Sequence, residues 1–223
     1  MKIPFQNLPF STKERIMITE DLYNDYFNHL LGGRRSECSR IVQDLLDQRI
    51  DIKELYVDLF QKSLYETGHL WETNKISVAR EHLVTAITEN LLNLVYPRLF
   101  HEEKNDKKAV ISCTANEFHQ IGGKMAADIL ETHGWNSYFL GANTPLDHML
   151  AFIDEVKPDL VGMSLSVYFN MPSLIQGIEA VKAEFGSLDI AVGGQGLNWG
   201  GTEKIKKYAN TFCVFSLAEL EKI

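Results

Sequence analysis

The chain has 223 residues, 45% of them hydrophobic and 23% charged, with 30 acidic against 22 basic side chains and a formal net charge of -8. That length supports one or two buried cores. The acidic balance argues against a broad grip on phosphates by clustered Lys and Arg, so direct nucleic-acid binding is not expected. No apolar run approaches the roughly 18 residues a membrane span needs, and residues 1–15 lack the apolar core of a signal peptide, so a cytoplasmic protein without a membrane anchor is expected. Cys38, Cys113 and Cys213 are widely spaced with no CxxC pair, and read as reduced thiols packed as small apolar groups.

From Ile18 to Phe100 apolar residues recur three and four apart, as at Leu83, Ile87, Leu91 and Leu94. The spacing predicts helices over 18–33, 37–50, 51–71 and 77–100. Gly32 and Gly33 stop the first, and Asp51 with Glu54 forms a capping pair for the third. Residues 1–100 therefore read as an up-and-down four-helix bundle. Residues 101–108, HEEKNDKK, are charged, lack apolar periodicity and read as a solvated linker.

Over 109–223 the pattern changes. Strands at KAVISCT, NSYFLG, DLVGMSLS, DIAVGG and TFCVFS alternate with helices at 119–134, 144–156, 171–185 and 201–209. Short apolar strands with helical crossovers predict a parallel sheet covered on both faces. The fold class is thus α/β, an N-terminal helical bundle followed by a flavodoxin- or Rossmann-like parallel-sheet domain.

The first strand runs into NEFHQIGGK, residues 116–124, at a turn where open α/β sheets meet their ligands. The glycines do not match GxGxxG, and the second strand ends in Gly141 without an acidic residue to hold a ribose, which disfavours a nicotinamide cofactor. Met125 after Lys124 rules out a Walker A loop. What remains is His119, with Glu117 two residues before it and Gly122 three after. A neutral imidazole is a good transition-metal ligand, and a carboxylate on its other nitrogen fixes the tautomer. One histidine cannot build a metal cage, but it can give one axial ligand to a metal carried by a macrocycle. On this pattern alone, a solvent-facing histidine at a helix start is the simpler reading.

The arrangement resembles the DxHxxG signature of cobalamin-binding domains, with Glu117 in the Asp position. That resemblance implies His119 as the lower axial ligand of cobalt and a nucleotide tail buried in the α/β domain. The family places serines at the end of the third strand and a glycine pair at the end of the fourth; Ser164 with Ser166, and Gly193 with Gly194, match these. The third position of the usual SxL is Ser166 here, a departure. Hydroxyls can hydrogen-bond a nucleotide tail, and glycines let a bulky ring approach the backbone.

In the helical half, WETNKISVAREH spaces Trp71 nine residues before Glu81 and His82. Val78, Glu81 and His82 share one face of a helix starting near Ser77. Taken alone, these read as a core tryptophan and a solvated helix face. The stretch resembles the cap motif of adenosylcobalamin light sensors related to CarH and AerR, in which Trp, Val and Glu enclose the adenosyl group. LGANTPLDHM and VGGQG look like those sensors too.

The resemblance implies adenosylcobalamin between cap and α/β domain, its cobalt on His119. It extends the cofactor contacts to Trp71, Val78, Glu81, His82, Glu117, Gly122, Ser164, Ser166, Gly193 and Gly194. It implies a sensor and not an enzyme, signalling to a transcriptional regulator or another signalling protein, and it is compatible with a homo-oligomer. The match is to the sensor module without a DNA-binding domain. Glu72 stands where those sensors carry the histidine that becomes the second axial ligand after light. A corrinoid carrier in methyl transfer shares the same two-domain plan, and the choice between adenosyl and methyl forms discriminates the two.

Overall fold

The computed structural model describes residues 17–100 and 104–223. The opening residues, and residues 101–103 of the expected linker with His101, lie outside the described residues. The helical half comprises α1 (Glu20–Leu31), α2 (Arg35–Asp47), α3 (Ile52–Glu54), which continues through a π-helical stretch (Leu55–Gln61) into α4 (Lys62–Glu72), and α5 (Val78–Val95). Its ends follow local chemistry. Gly32 caps α1 and Gly33 turns the chain at φ 72°. Asp51 accepts from the Glu54 N–H at 3.0 Å, and Ser77 from the Arg80 N–H at 3.3 Å.

The π-helical stretch departs from the expected single α-helix. It buries the adjacent pairs Leu55–Tyr56 and Leu59–Phe60. A wider turn changes the hydrogen-bond partners and leaves the four-residue apolar spacing intact, so periodicity does not reveal it.

The α/β half holds β1 (Lys108–Cys113), β2 (Asn136–Gly141), β3 (Leu160–Ser164), β4 (Asp189–Gly193) and β5 (Thr211–Val214). They form a parallel sheet in the order β2-β1-β3-β4-β5. This is the flavodoxin order, whose switch point lies between β1 and β3 and opens a crevice at the carboxyl ends of those strands. The covering helices are α6 (Ile121–Thr132), α7 (Leu146–Val156), α8 (Met171–Phe185), α9 (Thr202–Ile205) and α10 (Leu217–Leu220). The first begins two residues after His119, leaving that histidine in the loop. Thr202–Ile205 is shorter than the expected 201–209, and Leu217–Leu220 was not expected, because one helical turn is too short to show a period. Tight 3-10 turns add Tyr168–Asn170 and Gln195–Trp199.

The two halves share a core. Ile121, Met125 and Ile129 of α6 are buried in the same apolar cluster as Tyr26, Leu55 and Leu92. Polar links cross the same junction: Tyr56 to Asp128 at 2.8 Å, Gln120 to Glu89 at 3.0 Å, and Lys53 to Glu221 at 2.6 Å. The far face of the sheet packs Val110, Val161, Met163 and Val192 beneath α7 and α8. Within 104–107, the Asn105 N–H donates to the Gly134 carbonyl at 2.8 Å and Lys104 to that of Trp135 at 3.1 Å. Among the described residues no helix is long and apolar enough to cross a membrane.

Candidate functional site

After β1 the chain turns at Asn116, whose φ of 66° suits an Asn, and delivers Glu117 to the interior with no exposed surface. One oxygen accepts from the His119 N–H at 3.1 Å and lies 2.6 Å from His119 Nδ1. The other accepts from the N–H groups of Ser166 and Val167 at 3.0 and 2.8 Å, and from the Asn170 side-chain amide at 3.3 Å. Burial pushes this carboxyl up, but the hydrogen bonds from His119 and Val167 outweigh it and hold the group down at about 2.

The carboxylate therefore keeps the proton on Nδ1 and leaves Nε2 as the nitrogen available to a metal. The hydrogen bond to Glu117 raises the His119 pKa; burial opposes the rise, and the charges of Glu117 and Glu81 add to it. The His119 side chain is 58% exposed, so Nε2 is accessible from the rim. Among the described residues no three His, Cys, Asp or Glu side chains converge on a metal position, so a metal held by His119 must bring its other ligands with it. A cobalt already ringed by a corrin meets that requirement.

Neighbouring glycines divide the work. A Cβ at Gly122 would meet nothing within 4 Å, whereas one at Gly123 would stand 3.1 Å from the Phe139 ring and 3.4 Å from Ser164 Cβ. Gly122 thus opens toward the outside, and Gly123 lets α6 lie close on the sheet. Beneath it, Cys113, Ser164 and Gly193 are register partners across β1, β3 and β4 and make a row of small side chains. Gly194 has φ 110°, and a Cβ there would lie 2.2 Å from the Leu165 carbonyl oxygen, so the close approach of the chain itself demands this glycine. The Ser166 hydroxyl is 3.5 Å from the His119 carbonyl.

From the helical half, Glu89 of α5 accepts from Gln120 beside the loop at 3.0 Å, and the charge of Glu81 in the first turn of the same helix adds to the rise of the His119 pKa. Glu81 also accepts from Thr85 at 2.9 Å and lies 2.6 Å from Nδ1 of His82. Trp71 and Val78 stay at the tip, 46% and 50% exposed, with His82 beside them. The structure therefore gathers Glu117, His119 and Ser166, sets Ser164 and Gly193 at the strand ends below them, and leaves Trp71, Val78, Glu81 and His82 on the helical half. Sequence reasoning missed Asn170, the Val167 N–H, and Asn143, whose side chain accepts from the Asn116 N–H at 2.9 Å. Asn143 had a signal in the GANTP turn; Val167 contributes only backbone and had none. A cavity of about 70 Å³ runs from Cys113, Thr114 and Ala115 at the carboxyl end of β1 to Met149 of α7 and Leu174 of α8, too small for a corrin.

The chain thus seats a helical unit on a flavodoxin-like parallel sheet, with a carboxylate-paired histidine at the sheet's carboxyl rim. Residues 107–215 match the B12 binding domain family, and residues 22–96 match a second family model of that description. Together the two models span both halves of the chain, a cobalamin-binding protein that resembles the CarH module. The HTH-type transcriptional repressor CarA of Myxococcus xanthus is 29% identical over 128 residues, 57% of this chain and 42% of the repressor. The chain thus spans less than half of that repressor's length. Trimethylamine corrinoid protein 1 of Methanosarcina acetivorans is 23% identical over 176 residues, 77% of this chain and 78% of that protein. The solved monomethylamine corrinoid protein of Methanosarcina barkeri shares the fold, with a TM-score of 0.78 at 14% identity, covering 91% of this chain and 96% of that one.

Proposed function

We propose that the protein is a light sensor that holds adenosylcobalamin between its helical unit (residues 1–100) and its α/β domain (109–223), with His119 as the lower axial ligand of cobalt. The observation that carries this reading is the 2.6 Å contact between the fully buried Glu117 and Nδ1 of His119, an imidazole that stays 58% exposed at the carboxyl rim of the sheet. Cobalamin supplies a cobalt–carbon bond that visible light breaks.

The protein's own residues do the rest. Glu117 fixes the tautomer and aim of His119. Gly122 leaves room above the first turn of α6, while Ser164, Ser166, Gly193 and Gly194 line the way to the sheet. Trp71 and Val78 offer apolar surface to the adenosyl group, with Glu81 and His82 as polar contacts. Loss of the adenosyl group uncovers that surface, and repacking of the tip alters contact with a regulatory partner.

A methyl-carrier role is the second reading, favoured by the match to the trimethylamine corrinoid protein along three quarters of both chains. One experiment separates them. The protein loaded with adenosylcobalamin should hold a stable dark spectrum that green light converts to a retained cob(III)alamin product. Preferential binding of methylcobalamin would install the carrier reading instead. His119→Ala should remove imidazole ligation from the spectrum.

A further inference from the structure

We infer that Phe169 and Trp199 form the outer wall of the cobalamin site and contact the edge of the corrin ring; this rests on the cobalamin reading above. Both are large aromatics left in water, 86% and 75% exposed, on turns whose positions are firmly set. The turn carrying Phe169 is anchored by Glu117 itself, which receives the N–H of Val167 before it and the side-chain amide of Asn170 after it. The group that aims His119 therefore also holds Phe169 up.

Trp199 ends the neighbouring 3-10 turn, followed by Gly200 and Gly201 at φ 113° and 87°. A Cβ at Gly201 would fall 2.5 Å from Met171 Cε and 3.5 Å from the Tyr168 ring, so the second turn is packed directly against the first. Conformations so restricted around two exposed aromatic rings fit a binding surface better than a solvated loop.

Strand order supplies the direction. The loops after β3 and β4 stand one and two strand spacings from the β1 loop that carries His119, about 4.8 Å each. A corrin ligated by His119 extends toward them, so the aromatics meet the methyl groups and the methylene stems of the amide side chains at the edge of the ring.

The test compares cobalamin with cobinamide, which has the ring but lacks the tail. Phe169→Ala and Trp199→Ala, both exposed and neutral for folding, should each raise the Kd for both ligands by the same factor, about tenfold. Oxidative footprinting of the wild-type protein should show Trp199 protected when cobinamide binds. Unchanged affinities with Trp199 still oxidised would overturn the wall and leave the aromatics to a protein partner. Weakening of cobalamin binding alone would move them to the tail and also overturn it. Failure of the wild-type protein to bind either corrinoid would remove the cobalamin reading and this one together.

Discussion

Tyr56, in the π-helical stretch, donates a 2.8 Å hydrogen bond to Asp128 of α6, and both side chains are buried. The bond lies in the apolar core shared by the two halves, so the seat of the helical unit is part of the protein's interior. Its tip, with Trp71 and Val78, is the exposed part. Any rearrangement on ligand loss is therefore expected at the tip, with the seat as its fixed end.

Tyr56→Phe removes the donor and leaves a buried carboxylate short of a partner. The expected loss is about 1–3 kcal/mol of stability, read by urea denaturation. A loss near zero would mean that Lys124, 3.4 Å from Asp128, satisfies the carboxylate alone.

Burial raises the Asp128 carboxyl above its ordinary value, and the Lys124 charge and the Tyr56 hydrogen bond only partly offset it. The folded protein therefore binds this proton more tightly than the unfolded chain does. The stabilising contribution is complete below about pH 3.9 and is lost as pH rises through the folded value. Asp128→Asn stays neutral throughout, so its stability relative to wild type should improve from acid to neutral pH in paired urea titrations. A difference independent of pH would refute the assignment.

Glu117→Gln replaces an acceptor-only group with one that turns an NH₂ toward backbone donors. Loss of charge-assisted bonds to His119, Ser166 and Val167 is expected to cost about 2–4 kcal/mol. The same variant should weaken imidazole ligation of cobalt, seen in the absorption spectrum. Full retention of both stability and spectrum would show that Glu117 neither supports the rim nor orients His119.

Two glycine variants should behave in opposite ways. Gly122→Ala, in the first turn of α6 with open space beside it, is expected to gain about 0.5–1 kcal/mol of stability yet to loosen cobalamin binding. Gly194→Ala drives a Cβ into the Leu165 carbonyl and should lower the melting temperature whether or not cobalamin is added. Normal cobalamin affinity in Gly122→Ala would place the ring away from this turn.

Trp71→Ala removes a half-exposed side chain, so stability should change by less than about 1 kcal/mol. Preference for adenosylcobalamin over methylcobalamin should fall in competition titrations. Equal losses for the two would count against contact with the adenosyl group.

The sequence by itself determined the division into a helical and an α/β half, the parallel sheet and the placing of Glu117 two residues before His119 on the loop after the first strand. Periodicity, capping residues and a two-residue spacing are local properties, and they act before any distant contact forms. Only the tertiary structure decided the strand order, the seating of the helical half on α6, and the second oxygen of Glu117, which reaches Ser166, Val167 and Asn170 about fifty residues away. Backbone N–H groups carry no residue signature, so nothing in the letters of Val167 announces its role. Asp128 went unremarked in the sequence, one of several charges along α6, and its partner Tyr56 comes from an apolar-looking run 72 residues earlier. Folding joins them because a buried carboxylate must find a donor, and the shared core brings that donor within reach.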